Sequence, residues 1–590
     1  MKYIFMKVMP LFMGMNSYVQ ANERFERERQ AVMNGQINGT VVSVGIDNDC
    51  DFQIGTNTFQ DAINSGAVEI RLATNATYDP VIISGNGSSL NIIGGYGDCQ
   101  DANNNVRSSQ KSVVLGLSGV AGLDIDGVNV NISGVQVQQA DDGLRIANTS
   151  NIEVVLDNVE INNNGAGIRI DAAQVDMFAE DIRIHHNNAP NGSGINCNSA
   201  ANIIIVGNSS IDNNQATIGG GAFLSGGCDL TMVGGDNLSA EAGITMNTGQ
   251  QIGGGVTVAA SSITSRFVGI GDLIDIEGIT YGNLNEPLII SANQTLMGAS
   301  VGGGIFAEGI EAEVKLTNTA ILLNTANNGA GIYANNGANV TFNRSTQKCW
   351  SENGCNYLGL NGAAQAGGAV YVSGGAKLNA SYTQITRNRA SVGIAAFVKD
   401  QNSQLTIESS FISQNGDSGN GIYTDDNVIQ VESLGIAVLV HNTIVDNNSI
   451  NQVLRNDGSI LALRGSYLYN PNGGAFVSTV NNGGSFFSCL LVDDANNTAV
   501  PEVNLMSSSD YTNTFVNPAL GDYHTLATAS GLDYCAQQIT TIDRDIDNEL
   551  RGYDDPNIIN NNGSFDVGAH ENLGSDIIFN NGFEGIMIDL

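Results

Sequence analysis

The sequence predicts an all-β fold: a right-handed, single-stranded parallel β-helix, a solenoid with an N-terminal cap helix. Three observations carry this. First, the pattern Gly-x-(Gly/Ala)-apolar-x-apolar is read seven times: Gly165-Ala-Gly-Ile-Arg-Ile170, Gly192-Ser-Gly-Ile-Asn-Cys197, Gly219-Gly-Gly-Ala-Phe-Leu224, Gly302-Gly-Gly-Ile-Phe-Ala307, Gly329-Ala-Gly-Ile-Tyr-Ala334, Gly367-Gly-Ala-Val-Tyr-Val372 and Gly419-Asn-Gly-Ile-Tyr-Thr424. The starts at 165, 192 and 219, and again at 302 and 329, lie 27 residues apart. A fixed period of this size marks a solenoid, in which each repeat buries its apolar face only against its neighbours. Second, Ile-x-x-Asn precedes the glycine motif in most repeats, ending at Asn164, Asn187, Asn214, Asn324, Asn388, Asn415 and Asn447. Third, the 590 residues include 72 glycines, and no window carries a long helical period, which favours short strands joined by tight turns.

Along the chain, residues 1–21 read as a secretory signal. Lys2 and Lys7 are followed by the apolar run Val8–Met15 and by Val19-Gln20-Ala21, a small-residue cleavage pattern. Residues 22–112 form the N-terminal cap and first rungs. Thr58 precedes Phe59, Ala62 and Ile63 at helical spacing, and a helix here would cover the first rung, whose open edge otherwise invites pairing. Short alternating runs at 68–72, 81–84 and 90–93 read as strands. The repeats then occupy 113–480, with alternation placing Ile168 and Ile170 inward and Arg169 outward. A dozen to fifteen turns, at about 4.8 Å each, give a rod of about 60–75 Å. Residues 234–298 keep strand-like segments but lose the glycine motif, and read as irregular rungs or a side loop. Residues 481–571 form the last rungs and a closing segment, and 572–590 a tail. The recurring asparagine has a physical reason: it tolerates left-handed backbone, and its amide can bond the asparagine of the next rung in a ladder.

Charge and cysteine bound the function. With 23 Lys and Arg against 59 Asp and Glu, the net charge is −36, which repels nucleic acid and offers carboxylates to divalent cations. No stretch outside the leader approaches the length of a membrane helix. The chain is expected to be a monomer, secreted or held at a bacterial outer-membrane surface, and its eight cysteines agree with an oxidising compartment. Cys349 with Cys355, Cys50 with Cys99 and Cys489 with Cys535 are the expected bridges, while Cys197 sits at an apolar repeat position and reads as a buried thiol.

The paired motifs resemble the repeats of bacterial polymorphic outer-membrane proteins and adhesin-like β-helix proteins, over about residues 140–450, with Ile mostly in place of Phe and no translocating barrel following. The stretch Asp543-Arg-Asp-Ile-Asp-Asn-Glu-Leu-Arg551 with Phe565-Asp-Val-Gly-Ala-His-Glu571 resembles the closing segment of choice-of-anchor Q domain proteins, with His570 in the usual aromatic slot. Ile578-Phe-Asn-Asn-Gly-Phe-Glu584 resembles a short sorting tag of exported bacterial proteins. No enzymatic activity attaches to that group as such.

Three sets of side chains are candidates for function. The outward position of the glycine motif reads Arg169, Asn196, Phe223, Phe306, Tyr333, Tyr371 and Tyr423, with Arg145 ahead of them. Stacked in register, the aromatic rings would offer faces to sugar rings or to a partner, or would pack on one another to stabilise the sheet. Of these, Arg169, Phe306, Tyr333, Tyr371 and Tyr423 are the candidate ligand-binding residues for a polysaccharide or cell-surface glycan. Asp543, Asp545 and Asp547 have the 1-3-5 spacing of a calcium loop, with Asp554 at the twelfth position but Asn548 where glycine belongs. No cofactor is required by the sequence, and calcium is the candidate ion. Arg169 with Asp171, and Arg183 with His185 and His186, would serve a polysaccharide lyase if they shared a face. The Gly-His-Gly of polygalacturonase-like hydrolases is missing. The sequence thus favours an exported adhesin-like or carbohydrate-binding protein without an identifiable catalytic site, with a pectate-lyase-like carbohydrate-active enzyme as the alternative.

Overall fold

The computed structural model describes residues 39–572 except 56–57, 85–88, 148–150, 173, 235–242, 260–262, 269–273, 277–278, 282–286, 346–348, 352, 417–423, 450, 471–474, 494–502, 507, 537–541 and 554–562. The expected leader, the charged stretch at 22–36, Tyr423, Asp554 and the tag at 578–584 lie outside the described residues.

The chain winds as a parallel β-helix. One face, the glycine face, is a ladder of 14 parallel strands running from Val81–Ser84 to Ala475–Val480. The other walls form a 31-stranded sheet made of two parallel ladders, a long one (Ile152–Asp157 is a typical member) and a short one (Glu160–Asn162). A third, seven-stranded ladder runs from Asn188–Asn191 to Arg389–Val392 beside the asparagine corner. Ile170 pairs with Cys197 and Cys197 with Leu224, and all three are fully buried, so residues a period apart share one interior. The rung count falls within the dozen to fifteen expected.

The cap helix, α1 (Phe59–Asn64), starts as expected. Thr58 accepts the Asp61 N–H through its hydroxyl, Asp61 accepts the Thr58 N–H in return, and Phe59, Ala62 and Ile63 are buried. A second short helix, α2 (Cys99–Asn104), follows the N-cap Asp98 and is clasped to the first rungs by the Cys50–Cys99 bridge. Cys349–Cys355 and Cys489–Cys535 also form. Cys197 is not a free thiol but is bridged to Cys228. The coil carries Cys228 to the start of a long-ladder strand, level with Ala201 of the rung below, which brings it across the interior corner from Cys197.

Of the two expectations for residues 234–298, the described residues there are mostly rungs rather than a side loop. Gly243–Thr245, Thr248–Ile252, Val256–Ala259, Ile263–Val268 and Leu288–Ser291 each pair in register with the rungs on both sides. Among the described residues, one small hairpin, Ile274–Ile276 with Ile279–Tyr281, pairs with itself rather than with a rung. The glycine motif persists there as Gly253-Gly-Gly-Val-Thr-Val258, and again at Gly393-Ile-Ala-Ala-Phe-Val398. Both fit the pattern as it stands, with Thr257 and Phe397 in the outward place, so the stretch 234–298 does not lose the motif.

The asparagine ladder is continuous over ten rungs, from Asn164 through Asn187, Asn214, Asn247, Asn293, Asn324, Asn361, Asn388 and Asn415 to Asn447. Each Nδ2 donates to the Oδ1 of the next asparagine at 2.9–3.1 Å, and the same Oδ1 accepts the backbone N–H of the asparagine below. The left-handed backbone is not at the asparagine itself. It falls one residue earlier, at His186, Met246, Leu323, Leu360 and their equivalents, with φ between 53° and 58°. The first glycine of the motif explains its own requirement: Gly329 has φ 59°. The third explains its smallness, since a Cβ at Gly304 would lie 2.7 Å from the Gly331 carbonyl oxygen and 3.1 Å from the Asn324 amide nitrogen.

The C-terminal segment folds back over the outside of the short ladder. Phe411, Val445, Tyr467, Tyr469 and Leu491 point outward there and are covered by Met506, Phe515, Tyr523, Tyr534, Ile546, Val567 and Ala569. This makes a second hydrophobic core outside the coil.

Candidate functional site

Alternation along each glycine-face strand sends every second side chain outward, and the register stacks the residue after the first apolar one of each rung into a column. It runs Asp124, Arg145, Arg169, Asn196, Phe223, Thr257, Phe306, Tyr333, Tyr371, Phe397, Gln430 and Arg455. Arg169, Phe306, Tyr333 and Tyr371 therefore stand where the sequence puts them. Phe397 follows Tyr371, and the next place is held by Gln430; Tyr423 lies outside the described residues.

The aromatic rings of the column are stacked on one another. Phe306 and Tyr333 have centroids 5.6 Å apart at 16°, Tyr333 and Tyr371 4.7 Å at 12°, and Tyr371 and Phe397 4.9 Å at 29°. Phe306 and Phe397 are buried and the two tyrosines half-buried. Their faces are consumed by each other, so they cannot serve as platforms for sugar rings, and what the column offers outward is its edges. Burial pushes the Tyr333 and Tyr371 hydroxyls above the ordinary phenol range, so both stay protonated donors. Hydrogen-bonding groups flank these edges. Ser373 Oγ lies 3.4 Å from the Tyr333 hydroxyl and donates to Asn335 Oδ1 at 3.0 Å, while Glu308 accepts from Asn336 at 2.6 Å. Asp400 accepts the Gly374 N–H at 3.3 Å.

At the front of the column, Arg145 and Arg169 are neighbours across one ladder. Arg169 Nε lies 2.7 Å from Asp171 and its Nη1 3.9 Å from Asp142, and Arg145 Nη1 lies 3.8 Å from Asp124. Burial raises the carboxyls of Asp124 and Asp142. Arg183, His185 and His186 do not join this group. They stand on the short ladder, a different wall, where Arg183 forms a bidentate pair with the buried Asp212 at 3.1 and 3.2 Å. The pairing of Arg169 with Arg183 on one face, expected from their adjacent rungs, fails because a turn separates the two walls.

No family model matches the chain, and no curated protein matches it. Among solved structures it is similar to the crystal structure of pectate lyase Pel9A, with 12% identity over 91% of this chain and 97% of that chain and a TM-score of 0.22. The β-helix itself rests on the strand register above.

The aspartates of the closing segment divide. Asp543 is exposed, whereas Asp545 is buried and its carboxylate accepts the N–H groups of Asp547, Glu549 and Glu571 at 3.0, 2.7 and 2.8 Å. Asp547 lies between two histidines, 3.0 Å from His524 Nε2 and 3.4 Å from His570 Nε2. Asp545 and Asp547 thus come together with His570, and Asp543 does not. Asp545 is turned inward because three backbone donors there need an acceptor.

Sequence reasoning missed the core of this segment. Arg551 is fully enclosed, pairs with Glu571 at 3.5 Å, and donates to Ser409 Oγ and to the Gly568 and Ala569 carbonyls at 3.1, 3.1 and 2.7 Å. The signal was the closing pattern itself, whose arginine and final glutamate are its two ends.

Proposed function

We propose that this is an exported, surface-associated β-helix protein that binds a neutral, hydroxyl-rich glycan along the glycine face without cleaving it. The observation that carries this reading is the regular outward row at Phe306, Tyr333, Tyr371 and Phe397. Its tyrosine edges and the flanking Glu308, Asn335, Asn336 and Ser373 repeat hydrogen-bonding groups at the rung spacing, which suits a polymer of repeated hydroxyls. The charge of −36 disfavours an acidic polymer. Export is supported by four disulfides. Among the described residues no helix is long and apolar enough to cross a membrane. Attachment at a surface follows the adhesin-like and choice-of-anchor Q resemblance.

A second reading, a polysaccharide lyase, draws on the adjacent Arg145 and Arg169 with Asp124, Asp142 and Asp171. Their mutual ion pairs disfavour it, since a base for proton abstraction must be free of such partners. A glycan array read both for retention and for products separates the two. Retention of neutral glycans without products is expected, weakened several-fold in Tyr333→Phe/Tyr371→Phe at unchanged melting temperature. Product release by the wild type would overturn the reading, as would retention that ignores both hydroxyls.

A further inference from the structure

Two groups of histidines draw attention as metal ligands, and the proton inventory of their rings separates them. In the closing segment, Asp545, Asp547 and His570 bring ligand-type atoms within 4.8 Å of one another. Yet His570 Nδ1 accepts the Thr525 N–H at 3.1 Å, so in the neutral ring the proton sits on Nε2, the nitrogen that faces Asp547. His524 is occupied at both nitrogens, by Asp522 at 2.6 Å and Asp547 at 3.0 Å. No ring nitrogen there has a lone pair to give.

On the short ladder the situation is reversed. His185 Nε2 lies 3.1 Å from Glu160 Oε1, which fixes the proton on Nε2 and leaves a lone pair on Nδ1. That Nδ1 stands 2.7 Å from Nδ1 of His186. Two facing imidazole lone pairs repel unless a proton or a cation lies between them. Glu160 is itself held rigidly, by Asn162 at 2.8 Å, Gln136 at 3.2 Å and Lys111 at 3.5 Å. A carboxylate that takes one ring N–H and aims the other nitrogen outward is the usual outer support of a metal-binding histidine. His186 is exposed, so an ion can reach the pair from solvent.

We propose that Nδ1 of His185 and Nδ1 of His186 form a two-nitrogen site for a transition-metal dication, with Glu160 as the group that orients His185. Two imidazoles in adjacent positions with water completing the shell suit Cu²⁺ best, and Ni²⁺ or Zn²⁺ less well. The site is separate from the glycine face and does not depend on what that face binds.

The repeat supplies a benign test. His186 stands at the left-handed corner position that Asn163 and Asn213 hold in the rungs below and above, so His186→Asn installs the neighbours' own residue. Untagged protein is titrated with Cu²⁺ alone, by calorimetry and by electron paramagnetic resonance. One equivalent with coupling to two nitrogens is expected. His186→Asn should bind at least tenfold more weakly at an unchanged melting temperature, and Glu160→Gln about tenfold more weakly, as for other outer-shell partners. Wild type that binds no better than His186→Asn would mean that the pair shares only a proton, and would overturn the site. A two-nitrogen signal surviving in His186→Asn would do the same.

Discussion

Leu323 and Leu360 adopt left-handed backbone, with φ of 58° and 57°, although nothing in their side chains favours it. Such a conformation costs an L-residue about 1–2 kcal/mol. It persists because the corner it makes sets the following asparagine inward, where it gains bonds to two rungs. The two requirements are borne by different residues, which is why the asparagine was legible in the sequence as Ile-x-x-Asn while the strained position was not: it is held in turn by Asn, His, Met, Ala, Leu, Arg, Gln and Asp. Leu323 is 41% exposed, so its replacement loses little burial. Leu323→Asn is expected to raise stability by about 0.5–1 kcal/mol in chemical denaturation, by relieving backbone strain. No gain would mean that the corner is less strained than its φ implies.

Among elements, the asparagine ladder and the aromatic stack are two of the runs that tie rung to rung outside the backbone pairing. Asn361 is fully buried, accepts from both the backbone and the amide of Asn324, and donates to the Ile321 carbonyl and to Asn388. Asn361→Ala would leave two donors of Asn324 without partners, at about 1–3 kcal/mol each. Because rungs couple chiefly to their neighbours, loss of hydrogen-exchange protection should centre on the rungs of Asn324 and Asn388 and fade beyond them. The stack makes a matching point. Tyr371→Ala removes a ring sandwiched between Tyr333 and Phe397, so it should lower the melting temperature, in contrast to Tyr371→Phe. The sequence revealed that these rings form a column. It could not reveal whether their faces point to solvent or to each other, because that depends on the side-chain torsion rather than on the register. The same limit applies to Asp545 and Asp547: their spacing is that of an ion-binding loop, but Asp545 is turned inward by the N–H groups of Asp547, Glu549 and Glu571, and Asp547 faces His524 and His570, more than twenty residues away on either side.

For the whole molecule, the closing segment sets the pH response. Burial raises the carboxyls of Asp545, Asp566 and Glu571, and the two aspartates beside it hold His524 protonated well above the usual imidazole range despite its burial. A carboxyl raised in the folded protein adds stability that is complete below about pH 4 and is lost as pH rises through its folded value. A histidine raised in the fold adds stability that is complete below about pH 6.5 and is likewise lost on the alkaline side. His570, lowered to about 4, acts in the opposite sense, but its contribution is already complete above about pH 6.5. Above neutrality the shifts that still vary therefore point one way. Limited proteolysis of the full chain should cut within residues 506–572 progressively faster from pH 7 to 9, while the coil stays intact; a rate that is flat or falls would contradict this. The coil was legible in the sequence because its contacts recur at one period. The segment's covering of the outer wall was not, because its contacts occur once.

That difference in range has a consequence for how the molecule comes into being. Successive rungs meet partners about one period back, so the rod can assemble turn by turn as the polypeptide emerges. Arg551 reaches Ser409 across 142 positions, and Ala569 reaches Thr443 across 126. The strap can therefore be fastened only after the wall beneath it exists, and a polypeptide cut short before it leaves Phe411, Tyr467 and Leu491 greasy and bare. Residues 506–572 thus act as a seal over the outer wall, fastened last.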